Sequence, residues 1–353
     1  MNLQKLLVFL AAFLLLSNQS FAAKKPNIMV IATGGTIAGT ASTADQSQYS
    51  PAQLLIKKIL ASVTGVSEIA NIDSMQFSQI SSQDMNDRLW LNLSRTVNEL
   101  LDKSSVDGIV ITHGSDTMEE TAYFLNLTVK SKKPVILVGS MRPASSLSAD
   151  GPLNLYNAIA VAADSAASNK GIMIVLNDNI YAARDVSKVH TSNADAFRST
   201  NFGPIGNVYY GKTRFYYNPI RLHTANSVFD VRKLEELPRV DIVYGYANQP
   251  HSITDNLIEE GVKGIVYAGV GDGNIYKDTL QNLIKASASK KVIIARSSRT
   301  GSGFVVRNAE ISDDQYGFVT TDNLNPQKAR ILLMLALTKS KDAKEIQELF
   351  WKY

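Results

Sequence analysis

The chain has 353 residues, 45% hydrophobic and 19% charged, a balance that supports a real buried core and excludes a disordered polyelectrolyte. Its formal net charge of +4 is small and scattered, and no basic run interleaved with aromatics marks a nucleic-acid surface. Cysteine is absent, so disulfides and a lipidated cysteine are excluded.

The first segment is read as separate from the fold. Lys5 gives a positive start, Leu6 to Leu16 is an apolar run too short to span a bilayer comfortably, and Ser20-Phe21-Ala22 has the small-x-small form of a cleavage site. A signal peptide over 1–22, removed after Ala22, is expected, with export to the periplasm. Lys24-Lys25-Pro26 then leads into Ile28 to Ala32, a short apolar run with the composition of a buried strand. Thr33-Gly34-Gly35-Thr36 follows, where two glycines allow positive φ and close backbone approach. Thr36 would stand at the carboxyl end of that strand, where open α/β sheets bind ligands, and is the candidate nucleophile. Thr40 to Ser50 is polar with one aromatic, Tyr49, and reads as a surface loop or lid.

Helical spacing marks a helix within Pro51 to Val63, and Ile69 to Phe77 reads as a strand. Ser81 or Ser82 is expected to cap the helix that follows, whose Leu89, Trp90, Leu93, Val97, Leu100 and Leu101 repeat at three and four. Gly108 to Thr112 is a second buried strand ending in a polar turn, His113-Gly-Ser-Asp-Thr117, before a helix. Asp116 there would suit an amino-group ligand. Strands at Pro134–Val138 and Gly171–Leu176 flank a helix at Pro152–Asp164, and Arg184 to Lys188 reads as a strand or hairpin arm. The alternation means βαβ units and a mostly parallel sheet. Asn218 to Leu237 lacks periodicity and reads as a linker. The βα rhythm then restarts with strands at Asp241–Tyr244, Gly264–Ala268 and Val292–Ala295, and helices at Thr254–Glu260, from Lys277, at Pro326–Thr338 and at Lys341–Tyr353. The expected fold is two α/β domains: 23–217, a larger N-terminal domain, and 239–353, a smaller parallel-sheet domain, joined by a linker at 218–238.

Several chemistries are disfavoured. Gly34 to Gly39 lacks the G-x-G start of a dinucleotide loop, Gly269 to Asn274 lacks its last glycine, and neither is followed by a Walker lysine. His113, His190, His223 and His251 are scattered, so no metal or cofactor is expected. No G-x-S-x-G elbow occurs. What remains is hydroxyls beside potential bases: Thr36, Tyr49 and Ser115, with Asp116, Lys188 and later carboxylates. A Thr hydroxyl needs a neighbour to take its proton, and a Tyr oxygen or Lys amine can serve. These residues alone lead to an exported α/β hydrolytic enzyme or a solute-binding protein.

Two segments, Ala32-Thr-Gly-Gly-Thr-Ile-Ala-Gly39 and Ile111-Thr-His-Gly-Ser-Asp-Thr-Met-Glu-Glu120, resemble the signatures of the bacterial L-asparaginases. Ser82 to Asn86, Ser148 to Tyr156 and Leu324 to Arg330 resemble the exported type II branch. The resemblance implies hydrolysis of the side-chain amide of L-asparagine to aspartate and ammonia through an acyl-enzyme, with no cofactor. It implies Thr36 as nucleophile, Tyr49 as the assisting lid tyrosine and Glu310 as the carboxylate orienting it. Ser115, Asp116 and Lys188 match a second hydroxyl–acid–lysine set, and Ser82, Gln83 and Asp116 match residues that hold the substrate's charged ends. Asn274, like Glu310, matches a residue reaching the site from a neighbouring subunit of a homotetramer. Backbone N–H groups near Gly35 and Ser115 are expected to receive the oxyanion. The family usually has Thr where this chain has Ser115, and Asp272 stands where relatives often have Asn, a change expected to adjust charge near the subunit boundary. A dual glutaminase-asparaginase and a periplasmic amino-acid-binding protein are the alternatives.

Overall fold

Residues 24–41, 43 and 49–353 are described by the computed structural model. The signal segment lies outside them, as does most of the interior of the Tyr49 loop. Among the described residues no helix is long and apolar enough to cross a membrane.

The N-terminal half is built on an eight-stranded sheet. Five strands are parallel: β1 (Asn27–Gly34), β2 (Asn71–Ile80), β3 (Gly108–Thr112), β4 (Val135–Val138) and β5 (Ile172–Leu176). The apolar runs of β1, β3, β4 and β5 are continuous because both faces are covered, whereas β2, at the sheet edge, is interrupted by polar residues. Alternate residues of β3 serve different layers: Val110 packs with Val30, Ile136 and Ile159, while Ile109 and Ile111 pack with Ile31, Leu93 and Leu125. Beyond β5 the sheet turns antiparallel through β6 (Asn179–Ala182), β9 (Gly206–Tyr209) and β10 (Lys212–Phe215). This edge departs from the parallel βα rhythm of the sequence, because antiparallel neighbours need no helical crossover: β5–β6 and β9–β10 are joined by two-residue turns, and β6 and β9 by a segment that holds a short ladder. The pairs β7 (Ser187–Lys188) and β8 (Phe197–Arg198) form a separate two-stranded ladder.

The strand order places β1 between β2 and β3. From β1 the chain passes through α1 (Ile56–Ala61) and α2 (Val66–Ile69) to β2 on one side. It returns through α3 (Asp87–Leu101) to β3 on the other side, and leaves through α4 (Met118–Thr128) to β4. The connections after β1 and β3 therefore diverge, which opens a crevice at the carboxyl ends of these two neighbours. Thr36 and Ser115 follow those two ends.

The C-terminal half has four parallel strands in sequential order: β11 (Val240–Tyr244), β12 (Gly264–Gly269), β13 (Ile293–Ser298) and β14 (Val319–Thr320). They are covered by α6 (Ser252–Glu259), α7 (Lys277–Ala288), α8 (Asp313–Tyr316), α9 (Pro326–Leu337) and α10 (Ala343–Lys352). The remaining N-terminal helix, α5 (Gly151–Ala163), lies against β3 to β5. One core spans both halves. Trp90, Phe124 and Leu127 share a buried cluster with Leu332 and Leu335, and the rings of Trp90 and Phe124 stack at 5.4 Å. The stretch read as a linker contributes Phe229, Val231 and Leu237 to the same cluster.

A buried ion pair organises the loops of the second sheet. Arg296 donates to both oxygens of Asp313 at 2.7 Å, and further to the carbonyls of Asp272 (2.7 Å) and Val306 (3.0 Å). Asp272 Oδ1 accepts the Val306 N–H at 2.8 Å. Its carboxylate thus braces the loop from within, where the sequence suggested only a charge adjustment. Asp313→Asn would leave the guanidinium buried beside a neutral amide, and unfolding free energy should drop by about 3–5 kcal/mol in denaturant titration.

Candidate active site

Gly34 and Gly35 have φ of 118° and 81°, values that a side chain rarely tolerates. They serve a second purpose. A Cβ on Gly35 would collide with the backbone of Gly114, and a Cβ on Gly114 would lie 2.6 Å from Ser82 Oγ. The loops after β1, β2 and β3 thus touch through atoms that only glycine leaves free. Thr36, Ser82 and Ser115 are each one residue, or none, from this meeting point, and all three are buried.

Two hydrogen-bonded sets occupy the crevice. In the first, Thr36 Oγ1 lies 2.8 Å from Tyr49 Oη. The tyrosine is held because the loop is pinned at its ends: Thr40 and Ser50 exchange backbone hydrogen bonds of 3.0 and 2.9 Å. In the second, Lys188 Nζ donates to Ser115 Oγ at 2.9 Å and to Asp116 Oδ1 at 2.6 Å. A lone lysine in a strand is ordinarily solvated; here its side chain is only 15% exposed, and Asp116 supplies the counter-charge.

Ser82 does not cap α3. Asn86 does, its Oδ1 accepting the Leu89 N–H at 3.1 Å. Ser82 opens a short 3₁₀ turn instead, and its Oγ accepts the Asp116 N–H at 3.2 Å while its carbonyl accepts the Thr117 hydroxyl at 2.7 Å. The serine hydroxyl proton stays available to a ligand, beside the exposed Gln83. The expected oxyanion donors are also narrowed. The Gly35 N–H is committed to Ile80 O at 2.9 Å, whereas the N–H groups of Thr36 and Ser115 make no hydrogen bond among the described residues.

Asn274 and Glu310 lie elsewhere. Asn274 Nδ2 donates to Glu310 Oε2 at 3.0 Å on the surface of the C-terminal half. Among the described residues no hydrogen bond joins either to Thr36, Tyr49, Ser115 or Lys188. Arg296 holds the two loops that carry them.

The sequence reading passed over what fixes the second loop. Trp90 Nε1 donates to Thr121 Oγ1 at 2.9 Å, and Thr121 Oγ1 lies 2.9 Å from His113 Nε2. His113 Nδ1 lies 2.7 Å from Gly114 O, a carbonyl that only accepts, so Nδ1 carries the proton and Nε2 receives the Thr121 hydroxyl. The imidazole is neutral, and burial lowers its pKa from 6.5 to about 4. Because the folded value lies below the unfolded one, this contribution is complete above pH 6.5 and is lost as pH falls toward 4. It amounts to about 3 kcal/mol. Glu120, pushed up by burial to about 7, works with the opposite sign, losing stability as pH rises from 4.5 to 7. The His113 effect is therefore isolated by difference: His113→Gln should flatten the acid arm relative to the parent in urea unfolding between pH 4 and 7.

Comparison with known proteins places the chain in a family. Residues 27–221 match the family model "Asparaginase, N-terminal" and residues 239–350 match "Glutaminase/Asparaginase C-terminal domain". The chain is 48% identical to L-asparaginase 2 of Escherichia coli K12, over 93% of each chain. It is 49% identical to a probable periplasmic L-asparaginase of Haemophilus influenzae, again over 93% of each. A glutaminase-asparaginase of Acinetobacter glutaminasificans is 47% identical over 93% of this chain and all of the relative. The crystal structure of a probable cytoplasmic L-asparaginase from Campylobacter jejuni superposes with a TM-score of 0.90 at 47% identity, covering 93% of this chain and 100% of the other. With both halves matched and the two hydroxyl sets meeting at the diverging ends of β1 and β3, the chain belongs to the asparaginase family.

Proposed function

We propose that the chain is an L-asparaginase that hydrolyses L-asparagine to L-aspartate and ammonia through an ester on Thr36. The observation that carries this reading is a buried threonine hydroxyl 2.8 Å from a tyrosine oxygen, facing a lysine–serine–aspartate set in one crevice. Thr36 Oγ1 attacks the side-chain amide carbon. Its proton passes to Tyr49 as the phenolic proton passes to the departing nitrogen, so that ammonia leaves and an ester remains. Water then adds to the ester carbon, and its proton returns through Tyr49 to Thr36 as the carbon–oxygen bond breaks. Ser115, held by Lys188, orients that water. The N–H groups of Thr36 and Ser115 receive the developing oxyanion, each such donor being worth about 10²–10³ in rate. Tyr49→Phe keeps the ring and removes the relay, and kcat should fall about 10²-fold with little change in unfolding midpoint.

Substrate recognition uses both charges of the zwitterion. Ser82 and Gln83 serve the α-carboxylate, and Asp116 serves the α-ammonium. The Asn274–Glu310 pair, held in place yet joined by no hydrogen bond to its own crevice among the described residues, supports a homotetramer in which each pair completes a partner's site, Glu310 orienting the partner's Tyr49. Sedimentation at assay concentrations tests this, since an active monomer would leave the pair without a role.

The naming of several relatives as glutaminase-asparaginases supports a second reading, dual activity. One methylene in the substrate is worth about 1–3 kcal/mol of discrimination. Ammonia release measured on both amides decides between the readings, and release from neither would end both. The amino-terminal segment and the periplasmic relative support a periplasmic location; detection of the chain in a periplasmic extract, lacking residues 1–22, tests it.

A further inference from the structure

Lys188 lies on a ladder only two residues long. Such a strand cannot hold a side chain in place by its own pairing, yet Lys188 must meet Ser115 across the crevice. The residues just before it are gripped by the other half of the chain. Arg184 donates from Nε to Tyr353 O and from Nη1 to Asn323 Oδ1, both at 2.7 Å. Lys328 Nζ donates to Val186 O. Asn325 Nδ2 donates to Ser187 Oγ at 3.0 Å.

The opposite wall of the crevice is gripped by the same residues. Glu119, four positions beyond Ser115 in the first turn of α4, lies with Oε2 3.8 Å from Lys328 Nζ and 3.3 Å from Asn325 Nδ2. Lys328 is 1% exposed. Its ammonium therefore joins the Ser115 loop, through Glu119, to the Lys188 segment, through Val186. Asn325 makes the same connection in parallel and caps α9 by accepting the Lys328 N–H at 3.0 Å. A methionine would fill the space without the cost of burying a charge. What it would lack is the directional link.

We propose that Lys328 is a positioning residue of the catalytic crevice, setting the approach of Lys188 to Ser115 by bridging Glu119 and the Val186 carbonyl. The inference rests on the reading of Lys188 and Ser115 as catalytic. Burial brings the Lys328 pKa down to about 8, opposed by the Glu119 and Asp185 carboxylates. The ammonium is thus the prevailing form at neutral pH.

The test is the charge-balanced pair Glu119→Gln/Lys328→Met, which leaves no lone buried charge, assayed beside Lys188→Met. Turnover is expressed per folded subunit, and the Lys188–Ser115 contact is read from a crystal structure of the double variant. The expected result is a folded protein whose kcat falls by about 10²-fold, the usual consequence of a displacement near 1 Å, with KM within a few-fold and the contact lengthened or lost. A folded double variant with unchanged contact overturns the proposal. So does one with a lower melting temperature and undiminished kcat, which marks a merely structural ion pair. Should Lys188→Met itself keep full turnover, the catalytic reading of Lys188 fails, and the positioning claim is then decided by the contact alone. If the double variant does not fold, the neutral polar pair Glu119→Gln/Lys328→Gln carries the same two readouts.

Discussion

Replacement of Thr36 by Ala should lower kcat for asparagine by about 10⁴-fold or more, because the attacking oxygen itself is removed. The fold should be indifferent. Thr36 is buried, but among the described residues its side chain makes a single hydrogen bond, to Tyr49, and Ala fits the same turn. Substrate should still bind, since Ser82, Gln83 and Asp116 are untouched, so the loss appears in kcat and KM changes little. Thr36→Ser keeps the oxygen and loses a methyl that limits rotation; it should retain part of the activity. The measurement is ammonia release under saturating asparagine, paired with mass spectrometry of a slowly turned-over amide. The covalent adduct should map to Thr36 in the parent and be absent from the Ala variant. Undiminished hydrolysis by that variant, or an adduct on Ser115, would overturn the assignment.

Lys188→Met should cost about 10²–10⁴-fold in kcat. The methionine matches the stem of the lysine but gives nothing to Ser115 Oγ and leaves Asp116 without its cation. Asp116 is largely exposed, so water stabilises the freed carboxylate and the fold should survive. The same carboxylate is read as the partner of the substrate's ammonium. Freed from Lys188, it should hold that ammonium at least as well, and KM should stay level or fall while kcat drops. Steady-state kinetics separate the two parameters. A loss confined to KM would make Lys188 a binding group, and the proposed handling of water by Ser115 would then fail.

Thr36 and Ser115 were legible because they sit in short polar turns directly after apolar strands, whereas Tyr49, in a long loop, and Lys188, on a two-residue strand, were assigned by the resemblance. Gly108 to Thr112 was bounded as found, and Thr36 and Ser115 stood just past strand ends. Of the two roles open to Ser82, helix cap and substrate contact, the first is not the one it takes. A serine before an amphipathic run satisfies that pattern locally, but the Asp116 N–H competes for the same oxygen from 34 residues away, and Asn86 lies nearer the helix. The antiparallel edge at β9 and β10 was missed because half its side chains face outward and its strands are four residues long. The importance of Lys328 was invisible for a similar reason. A lysine in the first turn of an apolar helix gives no local sign that its ammonium ends in a buried bridge between distant segments.

Order along the chain was enough to determine the alternation of strands and helices, the two α/β halves and the residue types of the crevice, because each depends on neighbours within a turn or a strand. The tertiary structure alone decided which of those residues meet. Strand order made β1 and β3 adjacent with diverging connections, and glycine contacts between the loops set how closely Thr36, Ser82 and Ser115 approach. Such distances are set by packing among segments many residues apart, and no local periodicity encodes them.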